Sequence, residues 1–504
     1  MSTLNLNLSP DLKAYFAEER RAIDESCRLP VLVFFGSALV WLIVGTLLGL
    51  TASLKMHTPD FLADHSWLTF GRIRPAHLNM VTMGWASSAG LGCSIWLMCR
   101  LSRIPLIYPR ILLIAALSLN LGMIIALVGV LSGFSQGVEW LEPPQIVAPF
   151  MTTALALVSA WLIATLRKRR EKHIYVTQWY IFGAMFWMPW MYTVAQLVIF
   201  GIPGVMDPAR GVVQATCNWW FAHNFLGLWL TPIGVGAAYY IIPKIVGRPV
   251  YSYHLSIIGF WATALFYSWV GMHHLIGGPL PAWMVTASIA GSILMIIPVM
   301  AVALNHHMTM WGHFQQLVYS PALRFVVFGA ITYTAVSIQG SFEALRDMNV
   351  ITHFTHYTIA HAHLGVYGFY SMVMFGTMYY IVPRLTGVEW ASAKLIRLHF
   401  WSTSFGITIY YTSLTLGGWY QGQALIAVNE LNQPTPFIEI VRYTQPYLIG
   451  RSIGGSLMAI GHFVFAYLFV VNVCRLGPVN GGPTYFVPHA QPLAVSDQQS
   501  AVSY

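Results

Sequence analysis

The run Thr358-Ile-Ala-His361-Ala-His363-Leu-Gly-Val-Tyr-Gly-Phe-Tyr-Ser-Met-Val-Met-Phe-Gly-Thr-Met-Tyr-Tyr-Ile-Val-Pro383 decides the fold. It is long and apolar enough to cross a bilayer as one helix, for which about 20 residues suffice. Inside it, His361 and His363 are two residues apart, so on a helix their imidazoles point roughly 200° from one another. One helix can therefore serve a separate metal centre on each side. A histidine inside a membrane is costly and is kept for a partner, either a hydrogen bond to a neighbouring helix or a metal. The rest of the chain has to supply that partner.

The 504 residues are 57% hydrophobic and 9% charged, far from the soluble average of about 45–50% apolar and 25% charged. The composition is that of a polytopic membrane protein. The net charge of +9 does not point to nucleic acid, because the basic residues fall in short loops between apolar runs, where they report topology. Cys27, Cys93, Cys99, Cys217 and Cys474 are scattered, with no Cys-x-x-Cys-His haem attachment and no zinc spacing.

Apolar runs at 30–54, 75–99, 108–133, 145–166, 176–202, 217–243, 253–275, 282–307, 322–343, 356–383, 394–419 and 447–474 predict an all-α protein with twelve transmembrane helices. The terminal segments, alternate loops and the span ends that adjoin those loops hold 19 of the 26 Lys and Arg, which predicts that both termini are cytoplasmic. Residues 1–29 read as a polar cytoplasmic segment, 30–475 as one membrane domain, and 476–504 as an extended tail rich in Pro, Gly, Ser and Gln. The first residues carry no cleavable signal pattern.

Position sorts the 18 histidines. His57, His65, His173, His399 and His489 fall in loops, at span ends or in the tail. His254 and His462 read as core or interfacial residues, and His306, His307 and His313, at the far end of their span, as structural or solvated. His353 and His356 lie on the outer rim. His223 opens one span and His273-His274 close the next, so three imidazoles can meet at one depth, a set suited to copper, iron or zinc with a position left open. Tyr267 is about two turns before His274, which places its phenol on the same side. His77 lies at the depth of His363. The simplest assembly puts His77 and His363 on the two faces of one haem, and leaves His361 to a second haem that faces the three-histidine metal.

These residues resemble subunit I of the haem-copper oxidase superfamily, in particular its C-family, the cbb3-type cytochrome c oxidase. The resemblance rests on Phe70-Gly-Arg-Ile-Arg-Pro-Ala-His77, Ala222-His-Asn-Phe225, Gly247-Arg-Pro-Val-Tyr-Ser-Tyr-His-Leu-Ser256, Tyr267-Ser-Trp-Val-Gly-Met-His-His274 and His361-Ala-His363, which cover most of the chain in the family's order. It implies low-spin haem b on His77 and His363, high-spin haem b on His361, and copper (CuB) on His223, His273 and His274. It implies a catalytic Tyr267 cross-linked to His223, Arg74 on haem propionates, and calcium at Glu139. Tyr333, Thr231 and Ser256 match polar positions of the family's proton channel. Where the family carries a glutamate 22 residues before the haem histidine, this chain has Gln339, an amide that cannot ionise. The implied partners are dioxygen and membrane-anchored c-type cytochrome subunits, in a hetero-oligomer of the bacterial inner membrane that couples oxygen reduction to proton translocation.

Two other functions stay open on the sequence. A nitric oxide reductase of the same superfamily replaces copper by non-haem iron and uses a glutamate four residues after the first histidine, where this chain has Gly227. A non-catalytic di-haem electron carrier would leave His223, His273 and His274 empty.

Overall fold

In the computed structural model residues 9–478 are described. Their elements run α1 Pro10–Lys55, α2 Phe70–Asn79, α3 Ser87–Ser102, α4 Pro109–Ser132, α5 Val147–Arg167, α6 Val176–Phe200, α7 Val212–Asn224, α8 Thr231–Val246, α9 Tyr253–Tyr267, α10 Ala282–Leu294, α11 Ile296–Met310, α12 Gln316–Tyr319, α13 Pro321–Glu343, α14 Arg346–Thr352, α15 His356–His363, α16 Met372–Thr386, α17 Ala393–Ile426 and α18 Phe437–Val473. No strand longer than an isolated bridge occurs among the described residues, as the composition predicts.

Among the described residues, eight helices are long and apolar enough to cross a membrane. The expected spans at 75–99, 253–275, 356–383 and 394–419 are not among them. Three of these are interrupted. Residues 80–86 and 364–371 are wide π turns, and α9 stops at Tyr267 and resumes as the 3-10 turn Val270–Leu275. The fourth, α17, buries His399, Ser402, Thr403 and Ser404, which dilute its apolar character. The polar start is also not separate from the first span. Ser9 caps α1 by accepting from Leu12 N, Pro10 sits where its missing N–H costs nothing, and the helix passes Pro30 into the apolar run. The expected tail lies outside the described residues except for 476–478.

A third π turn, Phe225–Leu230, joins α7 to α8. Each π turn follows a histidine-bearing segment: His77 at the end of α2, His223 in α7, His361 and His363 in α15. π turns widen the helix by one residue and cluster at functional sites, because they re-aim the side chains on either side. The three are tied together. Trp229 Nε1 donates to Ser87 Oγ at 3.0 Å, Trp85 Nε1 donates to Ser371 Oγ at 2.9 Å, and Tyr370 Oη donates to Ala86 O at 2.9 Å. Ser87 and Ser371 in turn donate to the carbonyls of Thr82 and Val366, five residues back, which the widened turns leave available. Trp85, Trp229 and Tyr370 are among the largest fully buried side chains. With their indole and hydroxyl groups satisfied, they bury aromatic area at no polar cost. This hub fixes the relative depth of the three histidine segments.

Candidate metal and haem centres

Hydrogen bonding separates structural histidines from those with something left to bind. His462 has both nitrogens taken, by Thr46 Oγ1 at 2.7 Å and Tyr367 Oη at 2.8 Å. It is a core histidine, as its position suggests. His399, expected at a span end, is fully buried, with Nδ1 bonded to Tyr379 Oη at 2.8 Å. Its Nε2 has no hydrogen-bond partner, and neither do the buried Nδ1 atoms of His223 and His361, so for these it is the neighbours described next that distinguish a site.

His223, His273 and His274 converge: each offers a ring nitrogen, and these atoms lie within 4.8 Å of one another. Ser288 and Ser292, from α10, hold the His273 unit. Ser288 Oγ accepts from its backbone N–H, and Ser292 Oγ meets its Nδ1, both at 2.9 Å. Trp219 stacks on His274 at 4.2 Å, with the planes 13° apart. Tyr267 packs against His223, ring centroids 4.6 Å apart. It reaches that position although the helix breaks between Tyr267 and His274, so the two-turn spacing is not what brings them together. A Cβ at residue 227 would fall within the Tyr267 ring, so glycine there is what admits the phenol.

His77 and His363 face each other with ring centroids 6.5 Å apart and planes 11° from parallel. His77 Nδ1 bonds to Gly45 O at 2.7 Å and His363 Nδ1 to Ile359 O at 2.8 Å. Those bonds fix the tautomer and leave Nε2 to accept from or bind a partner. Tyr410 Oη lies 3.1 Å from His363 Nε2. Gly49 gives the His77 ring room, since a Cβ there would meet the ring edge.

His361, on the other side of α15 as its spacing predicts, lies with Nδ1 3.7 Å from Glu343 Oε1. Glu343 is buried, and that oxygen has no hydrogen-bond partner. It is one turn beyond Gln339, whose Oε1 accepts from Tyr411 Oη at 3.2 Å. The sequence reading stopped at Gln339 and missed this carboxylate.

Arg74 meets two carboxylates. It pairs with Glu139 and lies 3.5 Å from Glu142 Oε1. Glu142, in the loop after α4, also accepts from Asn79 Nδ2 at 2.9 Å. Burial raises its carboxyl above the ordinary range, against the opposing pull of Asn79 and Arg74. Of the expected channel residues, Ser256 donates to its own helix at Tyr253 O and Tyr333 packs on Phe369. Thr231 opens α8 just after the third π turn. Tyr333 is on α13, which packs against α8, where Tyr239 sits. Tyr239 in turn accepts from Asn305 Nδ2 at 3.1 Å and abuts His306, whose two ring nitrogens are buried without partners. His306 is thus a buried histidine packed on Tyr239 and not a solvated one, which sequence position alone does not decide.

The residues present fit the implied groups. Three imidazoles converge, and a second, parallel imidazole pair has each Nδ1 held by a backbone carbonyl. The orphaned Nδ1 of His223 asks for a cation, and a third kind of imidazole, His361, is backed by a carboxylate.

The family model for cytochrome c and quinol oxidase polypeptide I matches residues 30–457. The chain is 33% identical over 440 residues to the cbb3-type cytochrome c oxidase subunit CcoN1 of Stutzerimonas stutzeri, covering 85% of this chain and 91% of that protein. It is 32% identical to a cytochrome c oxidase subunit 1 homolog of Azorhizobium caulinodans, covering 90% and 83%. A solved haem-copper terminal oxidase dimer superposes with a TM-score of 0.72 at 17% identity, over 96% of this chain and 90% of that one, which shows the same fold. The chain therefore belongs to the cytochrome c and quinol oxidase polypeptide I family.

Proposed function

We propose that the chain is the catalytic subunit of a cbb3-type cytochrome c oxidase, reducing dioxygen to water with electrons from membrane-anchored c-type cytochrome subunits and translocating protons. It is a multi-pass protein of the bacterial cytoplasmic membrane, with twelve spans and both termini inside. The observation that carries the reading is the convergence of His223, His273 and His274 beside Tyr267, separate from the parallel pair His77 and His363.

Two b-type haems and a copper ion, when bound, supply electron transfer and oxygen reduction. His77 and His363 would hold the low-spin haem, which would supply electron transfer. His361 would hold the high-spin haem, where oxygen chemistry would take place, with Glu343 beside its Nδ1 to orient the imidazole. His223, His273 and His274 hold the copper. Tyr267 Oη, beside the copper set, donates a proton to the reacting oxygen. Protons reach it through a polar column of His306, Asn305, Tyr239 and Tyr333, with Thr231 and Ser256 flanking. Arg74 would serve the haem propionates and Glu139 calcium, two groups that pair with each other in this structure.

Nitric oxide reduction is disfavoured by the space beside residue 227. A glutamate ligand at that position could not coexist with the Tyr267 ring. The experiment is oxygen uptake with a reduced c-type cytochrome, run beside nitric oxide turnover and metal analysis. Oxygen turnover with one copper per chain supports the oxidase. Nitric oxide turnover with excess iron and no copper supports the reductase, and no turnover of either gas leaves a di-haem carrier.

A further inference from the structure

Cys27 and Cys99 are fully buried and unbridged, and the packing of α1 on the second span sets them opposite one another. Gly45 lies against Val81, Gly84 against Trp41 and Gly92 against Phe34 and Phe35, so residue numbers rise along one segment as they fall along the other. Cys99 is seven residues beyond Gly92, and Cys27 is seven before Phe34. Seven residues are about two turns of helix, which returns both positions to the line of contact. The two thiols share a hydrogen bond.

Polar clamps hold this end of the two helices together. Trp96 Nε1 donates to Asp24 Oδ1 at 2.9 Å, Arg100 Nη1 to Arg20 O at 3.0 Å and Arg103 Nη2 to Glu19 Oε2 at 3.0 Å. From Gly49, beside His77, to Cys27 is 22 residues of α1, about 33 Å of helix rise, so the thiols are no part of the histidine centres. A cavity of about 390 Å³ has in its lining Asp24 and Arg28, neighbours of Cys27, and Arg100, which follows Cys99. A small ion has a short way in from there.

Under the proposed topology this end faces the cytoplasm, where thiols are kept reduced and a cysteine pair serves a metal or catalysis in place of a disulfide. The donor count selects the metal. Among the described residues, the one group of three or more metal-ligand side chains is His223, His273 and His274. No third ligand therefore joins the two thiols, and the four-coordinate set of zinc is not completed. Soft sulfur donors select copper(I), which two sulfurs suffice to hold.

We propose that Cys27 and Cys99 bind one copper(I) ion between α1 and α3. One proton leaves as the ion enters, and two thiols become one thiolate and one thiol around the copper. The S–H bond is the one bond broken, the copper keeps its oxidation state, and the loaded site stays uncharged, which suits its burial.

The test uses the purified holoenzyme complex, washed with a copper(I) chelator to constant copper content. Copper(I) is then added without oxygen, and the uptake is counted by elemental analysis. The count is of added copper, so it does not depend on what the histidine set holds. Wild type, Cys93→Ser at a second buried thiol of α3 and Cys474→Ser at an exposed thiol should each take up one further copper per chain at this site. Cys27→Ser and Cys99→Ser should lose that copper, with the haem spectrum of wild type as the sign that they fold. X-ray absorption of loaded against washed wild type should show sulfur neighbours for the added copper, a readout that needs no variant and decides the matter if a variant misfolds. The proposal is overturned if wild type takes up no added copper, if either folded variant takes up as much as wild type, or if the added copper has no sulfur neighbours.

Discussion

Tyr267 and His223 lie ring against ring, 4.6 Å between centroids, because Gly227 has no side chain to keep them apart. The contact joins α7 to the end of α9 at the three-histidine set. A methyl group at residue 227 has to displace the phenol. Gly227→Ala should cost about 1–3 kcal/mol of stability by overpacking and lower oxygen turnover, with both haems retained. Tyr267→Phe should leave metal content unchanged and lower turnover about 100-fold or more, the range lost with a proton donor. Haem and copper analysis beside oxygen uptake checks both, and full turnover in Y267F would remove Tyr267 from the mechanism.

Glu343 stands behind His361 where the family's glutamate position is occupied by Gln339. Carboxylates behind a metal-binding imidazole are worth about 10- to 100-fold in affinity or activity. Glu343→Ala should shift the iron–histidine stretching band of the reduced enzyme and weaken retention of the high-spin haem, while Gln339→Ala should leave that band nearly in place. A band that moves with Gln339 and not with Glu343 would reverse the assignment.

The three-imidazole set predicts selective metal loss. His274→Ala should lower copper from one per chain to near zero with the haem spectrum of the His77 and His363 pair unchanged, because that pair is fixed by Gly45, Ile359 and its own helices. Elemental analysis and the optical spectrum on one sample decide it. Joint loss of copper and of the low-spin haem would mean that the two centres are not separate.

Glu142 carries a pH dependence. Its native carboxyl keeps a proton to higher pH than an unfolded one. The stability it contributes is therefore present at low pH and lost as pH rises from the ordinary carboxylate range through the raised native value. Glu142→Gln should flatten thermal stability against pH from about pH 4 upward. Equal slopes for wild type and variant would show that Glu142 does not set it.

The histidines were legible because an imidazole in an apolar run is rare enough for position and spacing to sort it. His361 and His363 do lie on opposite sides of one helix, as two-residue spacing requires. What was not legible comes from contacts far apart in sequence. The π turns at 80–86, 225–230 and 364–371 have no local signal, and bonds such as Trp229 to Ser87 tie them together only in the fold. The break after Tyr267 was hidden inside an unbroken apolar run. Glu343 was passed over because a carboxylate at a helix end reads as a surface group, and only α15 folding back beside it makes it an inner one. Arg74 reads toward a haem propionate from sequence, and only the fold shows Glu139 and Glu142 beside it.

The division of labour between His361 and His363 is the centre of the account, and reduced optical spectra with and without carbon monoxide test it most directly. His363→Ala should lose the low-spin haem band and keep a carbon monoxide difference spectrum, and His361→Ala should keep the low-spin band and lose the carbon monoxide response. Retention of both signals in either variant, or loss of the same signal in both, would contradict it.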